Sequence, residues 1–418
     1  MKIIIKGNIV NPISRLKTEY FANQALVIEN GKIIEICNLQ DCEKKYHAFE
    51  ILNFTDKYIL PGFIDLHLHI PQVNQRARYG ENLMDWLKKY ILKAENDFEK
   101  LEKAEKSIKT CFNALIANGT TTAVMYNSYH KQATDLAFKI AEKSGLKVFI
   151  GKVMMDYFVS GEQFETTENS LRDSYDLYKK WHGKDNGRIN YIFSPRFAPA
   201  CSLELLTEIG RLAKKEGIYI QSHLSENREE IEQVLSKFFG FETYTDVYYK
   251  TGCLTDKSIM GHCIHLNDYE FNLLKETNCK IAHCPSSNFF LKSGVFDLSA
   301  AERKGIILGL GSDVGAGPSF SMFDVMKSMN YSQPFHILPQ KSFYYATLGN
   351  AQALGIENTT GNFAAGKDAD FIVIDIKKYY PEFEFSNIED LLAYLIYLGH
   401  QGFVYAVYVR GQKIELLN

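Results

Sequence analysis

The stretch Tyr58-Ile59-Leu60-Pro61-Gly62-Phe63-Ile64-Asp65-Leu66-His67-Leu68-His69-Ile70-Pro71-Gln72 decides how the rest of the chain is read. It is apolar from Tyr58 to Ile64 and then presents two histidines one residue apart. Side chains two apart on a strand point to the same side, so His67 and His69 can face one centre together. The apolar run fits a strand of a parallel sheet covered on both faces. The C-terminal end of such a strand is where a β/α barrel keeps its chemistry. Taken alone, the pair has a second reading as two solvated histidines near a turn; the residues downstream decide between them.

At 418 residues the chain can bury a large core, and one barrel domain with a satellite fits that length better than three domains. Lys and Arg number 47 against 50 Asp and Glu, so no strong field draws the surface to nucleic acid or to an anionic membrane. A small neutral molecule is the expected partner. The apolar run Ile3 to Ile5 is too short for a signal peptide, and no apolar stretch is long enough to span a bilayer. The cysteines at 37, 42, 111, 201, 253, 263, 279 and 284 form no Cys-x-x-Cys pair. They read as reduced thiols rather than a disulfide frame, and the expected location is the cytoplasm.

Short strands are expected at Lys2 to Lys6, Ala25 to Glu29 and Lys32 to Ile36, the last two joined by the hairpin signal Asn30-Gly31. The C-terminus repeats the style at Ala369 to Ile376 and Ala406 to Ile414, which suggests one small β domain built from both ends. Between them strand-like runs recur at Thr121 to Tyr126, Lys147 to Met155, Ile189 to Phe193, Ile218 to His223, Ser258 to His262, Lys280 to His283 and Ile306 to Leu310. Amphipathic stretches such as Ala133 to Lys143, Leu203 to Lys215 and Asn267 to Glu276 separate them, with Ser202 placed to cap the second. With the opening strand this pattern favours an α/β fold, a (β/α)8 TIM barrel; a doubly wound open sheet is the alternative. The charge run Lys93 to Lys109 reads as a solvated helix face.

The later strands end in Gln221-Ser222-His223-Leu224-Ser225-Glu226, Gly261-His262-Cys263, Ala282-His283-Cys284 and Gly311-Ser312-Asp313. A mononuclear zinc site wants a few imidazole nitrogens and a carboxylate with one position left for water, and His67, His69, His223 and Asp313 can supply that set. His262 is placed to orient the water or the substrate. Glu226, three residues past His223, can overhang the same pocket and carry a proton to a leaving nitrogen. Each residue has a plainer alternative. His223 could be a hydrogen-bonded core histidine, Asp313 a helix cap, and Glu226 a carboxylate at the N-terminus of the next helix. His283 is assigned to packing or support, and His265 is expected past its strand end. Gly361 to Asp368 has P-loop spacing but ends in Asp368 and precedes a strand, so a phosphate site is not expected.

Pro61-Gly62-Phe63-Ile64-Asp65-Leu66-His67-Leu68-His69, with Gly366-Lys367-Asp368-Ala369-Asp370 near the end, resembles the amidohydrolase superfamily. That resemblance implies a metal-dependent (β/α)8 barrel at 57–365 and a small β-sandwich formed by both chain termini, 1–56 and 366–418. Within the superfamily the chain resembles the guanine deaminases. The residues that carry this are His69-Ile70-Pro71-Gln72, Asn118-Gly119-Thr120-Thr121-Thr122, Ser194-Pro195-Arg196-Phe197, Gln221 to Arg228 and Ile281 to Asn288. The fourth strand offers no lysine of the kind that bridges two metals in dinuclear relatives, so one ion is expected.

The resemblance implies hydrolysis of guanine at C2 to xanthine and ammonia, in purine catabolism or salvage. Glu226 would protonate the neighbouring ring nitrogen, while Asp313 and His262 hold and deprotonate the water. Gln72 and Arg196 would bond the purine's polar edges and Phe197 would pack on its face; the plainer alternatives are a surface salt bridge for Arg196 and core packing for Phe197. The ion would be Zn2+, with Fe2+ or Mn2+ fitting the same donors, and the protein a homodimer. Lys89-Tyr90-Ile91-Leu92-Lys93-Ala94-Glu95 departs from the Thr-Phe-Pro-Ala-Glu expected there; Trp86 nearby lines the pocket or packs a helix. The rival readings are a related deaminase acting on another purine, an adenosine derivative, cytosine or an aminotriazine, and a non-catalytic barrel relative.

Overall fold

The computed structural model describes residues 1–80, 83–157 and 164–418. Eight parallel strands lie in chain order: Phe63–His69, Thr120–Tyr126, Lys147–Gly151, Ile189–Tyr191, Ile220–Leu224, Ser258–His262, Lys280–His283 and Leu308–Leu310. Helices alternate with them, and the arrangement is TIM-barrel-like. The expected helices are present. Lys131–Ser144 and Asp268–Glu276 form, and Leu203–Glu216 starts where the Ser202 hydroxyl accepts from the Leu205 amide at 3.0 Å.

The strand ladder runs as two four-stranded halves. One junction is a parallel bridge between Phe193 and Ile220. At the other, Asp313 N donates to His67 O at 2.7 Å and His69 N to Val314 O at 2.6 Å, just beyond the eighth strand. Lower in that seam sits the buried Asn350. Its Nδ2 donates to Ile64 O and Leu310 O, and its Oδ1 accepts from Leu310 N at 2.8 Å. One asparagine thus satisfies backbone groups on two strands that do not pair there.

Both chain ends build a seven-stranded sheet: Gln412–Lys413, Val404–Val409, Phe371–Ile374, Glu50–Pro61, Lys2–Ser14, Lys17–Glu29 and Lys32–Cys37, in that spatial order. Asn30 and Gly31 both adopt positive φ between Glu29 and Lys32, as a tight hairpin turn requires. Pro12 is tolerated because the parallel partner of its strand ends at Ile9, leaving pairing on one side only.

Three expectations are corrected. The apolar run Tyr58 to Ile64 is not one strand: Glu50–Pro61 belongs to the terminal sheet, and the barrel strand begins at Phe63. Cys37 and Cys42 form a disulfide across a strand end and the following helix, with Cα atoms 6.2 Å apart, while the other six cysteines are free and buried. The charge run from Lys93 is not wholly solvated, because Glu95 is buried. No helix among the described residues is long and apolar enough to cross a membrane.

Candidate active site

The C-terminal ends of the first, fifth, sixth and eighth strands bring His67, His69, His223, His262 and Asp313 together. Single ligand atoms of His67, His223, His262 and Asp313 all lie within 4.8 Å of one another. His69 Nε2 lies 3.2 Å from both His223 Nε2 and Asp313 Oδ1, and His67 Nε2 lies 3.4 Å from the same carboxylate oxygen. Glycine precedes His262 for a packing reason: a Cβ at Gly261 would come within 2.7 Å of the His67 ring. His262 and Asp313 both adopt positive φ, a strained conformation for such side chains that aims them inward at the strand ends.

Neighbouring groups fix the histidine tautomers. His223 Nδ1 lies 2.6 Å from the Arg196 carbonyl oxygen, which can only accept, so the proton sits on Nδ1 and the Nε2 lone pair faces the centre. His262 Nδ1 lies 2.9 Å from Asn288 Oδ1 and is oriented the same way. Burial pushes His69 down to about 4 and His223 well below its usual value, so both are neutral at pH 7. Burial alone would raise Asp313, but His67 and His69 hold it well below the usual carboxylate range, and Ser287 Oγ donates to its Oδ2 at 2.5 Å.

His67 Nε2 and His262 Nε2 are buried and find no hydrogen-bond partner among the described residues. Imidazole lone pairs converging on an ionised carboxylate, with buried nitrogens unpaired, suit one divalent cation. No helix follows Asp313 directly, so it is not a helix cap. His283 packs on Phe296 with ring centroids 4.8 Å apart, and His265 Nε2 turns away to the Ser293 carbonyl.

Glu226 lies beside this centre, its Oε2 3.5 Å from His262 Nε2. Burial, then the charge of Asp313, raises its carboxyl to about 8 against the bond from Ser293 Oγ. It also stands at the N-terminus of the next helix, one residue before the cap. Asn227 is that cap, and Glu230 completes the capping box while accepting from the Glu226 amide at 3.0 Å.

Next to Glu226 and the cluster, a cleft is lined by Gln72, Arg196 and Phe197 with Leu83, Trp86, Leu87, Leu291 and Ala316. Trp86 therefore lines the pocket. Arg196 is no surface salt bridge, being 3% exposed and paired with Glu95. Two acids with structural roles here were not singled out from the sequence. Asp65 accepts from the amides of His67 and Ser312, tying the first strand to the segment that carries Asp313. Glu95 sits behind Arg196 and Gln72. Asp65 lies inside the opening motif, where its apolar surroundings were a signal; Ala94-Glu95 keeps the end of the expected Thr-Phe-Pro-Ala-Glu, but nothing local marked a partner 101 residues away.

The amidohydrolase family model matches residues 58–414. The guanine deaminase of Escherichia coli strain K12 is 35% identical over 94% of this chain and 91% of its own length. That of Dictyostelium discoideum is 33% identical, over 99% of this chain and 98% of its own. The crystal structure of guanine deaminase from C. acetobutylicum, with guanine bound in the active site, superposes with a TM-score of 0.93 at 33% identity, covering 99% of this chain and all of that one.

Proposed function

The chain belongs to the amidohydrolase family, and on that premise we propose that it hydrolyses guanine to xanthine and ammonia. It is a hydrolase acting on a cyclic amidine C–N bond. The observation that carries the reading is one cleft holding two sets of groups. Polar residues able to read a purine edge, Gln72 and Arg196, stand with Phe197 beside a buried imidazole–carboxylate cluster and the proton-bearing Glu226.

The residues divide the chemistry as follows. His67, His69, His223 and Asp313 would hold one divalent ion. Bound there, it would lower the pKa of a water to about 7. Asp313, kept ionised by its histidines, accepts the water's proton, and His262 orients the water through its inward Nε2. Glu226 carries a proton at neutral pH and delivers it to the ring nitrogen beside C2. The water oxygen bonds to C2; Asp313 then passes its proton to the amino nitrogen, the new hydroxyl returns one to Glu226, and the C2–N bond breaks as the C2 carbonyl forms and ammonia leaves. Gln72 and Arg196 bond the lactam edge, and Phe197 stacks on the ring. A site built on such bonds can reject analogues that lack them by about 10⁴-fold.

The finer assignments are part of the same proposal. The ion is Zn2+, with Fe2+ or Mn2+ accommodated by the same donors. The strand halves form a closed (β/α)8 barrel over 57–365, supported by the hydrogen bonds at both junctions, and 1–56 with 366–418 form a β-sandwich. The homodimer comes from the resemblance, and the cytoplasmic location from reading the cysteines as reduced thiols, which six of the eight are. Ammonia release by metal-assayed protein from guanine, adenine, cytosine and an adenosine derivative, compared side by side, tests the function. Turnover of guanine alone is expected. Turnover of a different amine would overturn the roles of Gln72 and Arg196, and inactivity with no bound metal would overturn the enzyme.

A further inference from the structure

Glu95 lies on the helix Leu92–Asn96, in the stretch that departs from the family's sequence. It is 1% exposed and stands behind the cleft wall. Both its oxygens are 2.5 Å from Arg196 Nη1, and Oε1 also faces Gln72 Nε2 at 3.4 Å. Gln72 is held from its other end by the Gly315 amide. A guanidinium does not give up its proton, so a buried Arg196 alone would bring a full positive charge to the cleft. Paired with Glu95, it offers N–H donors with no net charge.

We propose that Glu95 is a positioning residue that sets the charge preference of the cleft: by neutralising Arg196 and steadying Gln72, it selects an uncharged purine over an anionic one. This rests on guanine being the substrate. Hydrolysis exchanges the C2 amine for a carbonyl oxygen and creates an imide N–H, so the product is the stronger acid and ionises first as pH rises. A cleft with an unpaired guanidinium would retain that anion; a neutral one releases it. Among the groups around the pair, burial holds His69 at about 4, Tyr129 is raised to about 12 and Tyr126 lies well above its usual value. Glu226, across the cleft, loses its proton at about pH 8 and then repels an anion in every variant, so the difference between variants isolates the charge of the pair.

The test measures guanine KM and xanthine Ki from about pH 6 to about pH 9 for wild type, Glu95→Gln and Glu95→Asp, each assayed for metal and circular dichroism. In wild type and Glu95→Asp the ratio of xanthine Ki to guanine KM is expected to stay flat or rise with pH. In Glu95→Gln it should fall by about tenfold as xanthine ionises, the effect of one uncompensated charge. An identical pH course in Glu95→Gln and wild type overturns the proposal. So does a wild-type enzyme that holds xanthine more tightly at the alkaline end, a result readable even if Glu95→Gln does not fold. Wild type that releases no ammonia from guanine overturns the substrate reading and this inference with it; guanine turnover with an unchanged ratio overturns this inference alone.

Discussion

Glu226 gains its proposed role from its surroundings more than from its place in the chain. Because its carboxyl is raised to about 8, the acid form dominates below that pH and is lost above it. Guanine turnover should therefore fall about tenfold per pH unit on the alkaline side, which a pH–kcat profile checks. Glu226→Gln keeps the shape but removes the transferable proton. Its kcat is expected to drop by about 10²- to 10⁴-fold with bound metal unchanged. Loss of metal together with activity would instead make Glu226 a support for the ligand cluster. The convergence of His67, His69, His223, His262 and Asp313 was legible because strand periodicity and strand ends are local properties. Glu95 and the buried partnership of Arg196 were not, because a charge run records neither burial nor a partner on a distant strand.

At the scale of elements, the seam between the first and eighth strands shows how small residues make room for a buried polar one. A Cβ at Gly309 would lie 1.7 Å from Asn350 Oδ1 and 2.7 Å from Leu66 Cδ1. Gly309→Ala must therefore push Asn350 away from backbone groups that have no water to turn to. Overpacking with lost buried hydrogen bonds is expected to destabilise by about 2–4 kcal/mol, measured as a lower urea midpoint at unchanged m-value. An unchanged midpoint would mean that Asn350 is dispensable to the seam. The eight barrel strands were legible from apolar runs recurring between amphipathic helices. The division at Gly62 was not, since strands of two different sheets follow one another there within a single apolar run, and only pairing partners distinguish them.

On the scale of the whole molecule, the terminal sheet and the barrel are joined by buried charge. Lys147, on the third barrel strand, reaches Asp368 Oδ2 at 3.0 Å and Asp370 Oδ2 at 2.8 Å, all three almost wholly buried. Lys32 and Arg410, from the terminal sheet and its turn, close on Asp368 from the other side. This explains the acids of the Gly366 to Asp370 motif, which serve the junction. Burial alone would raise Asp368, but Lys147, Lys32 and Arg410 hold it below the usual carboxylate range. A lowered carboxylate contributes stability that is present above its unfolded pKa and lost as pH falls through the folded value. Lys147→Met takes the cation from the buried Asp370 and one of three from Asp368, and is expected to cost about 3–5 kcal/mol at neutral pH. With Lys147 gone, Lys32 and Arg410 still hold Asp368 but less strongly, so the variant has less of this stability to lose as pH falls. The stability gap between wild type and Lys147→Met should therefore narrow as pH falls from about 7 towards about 4, and adding Asp370→Asn should recover part of it at neutral pH. Urea midpoints across that range decide the matter: a gap that does not change with pH would assign the loss to packing around Lys147 instead of to charge.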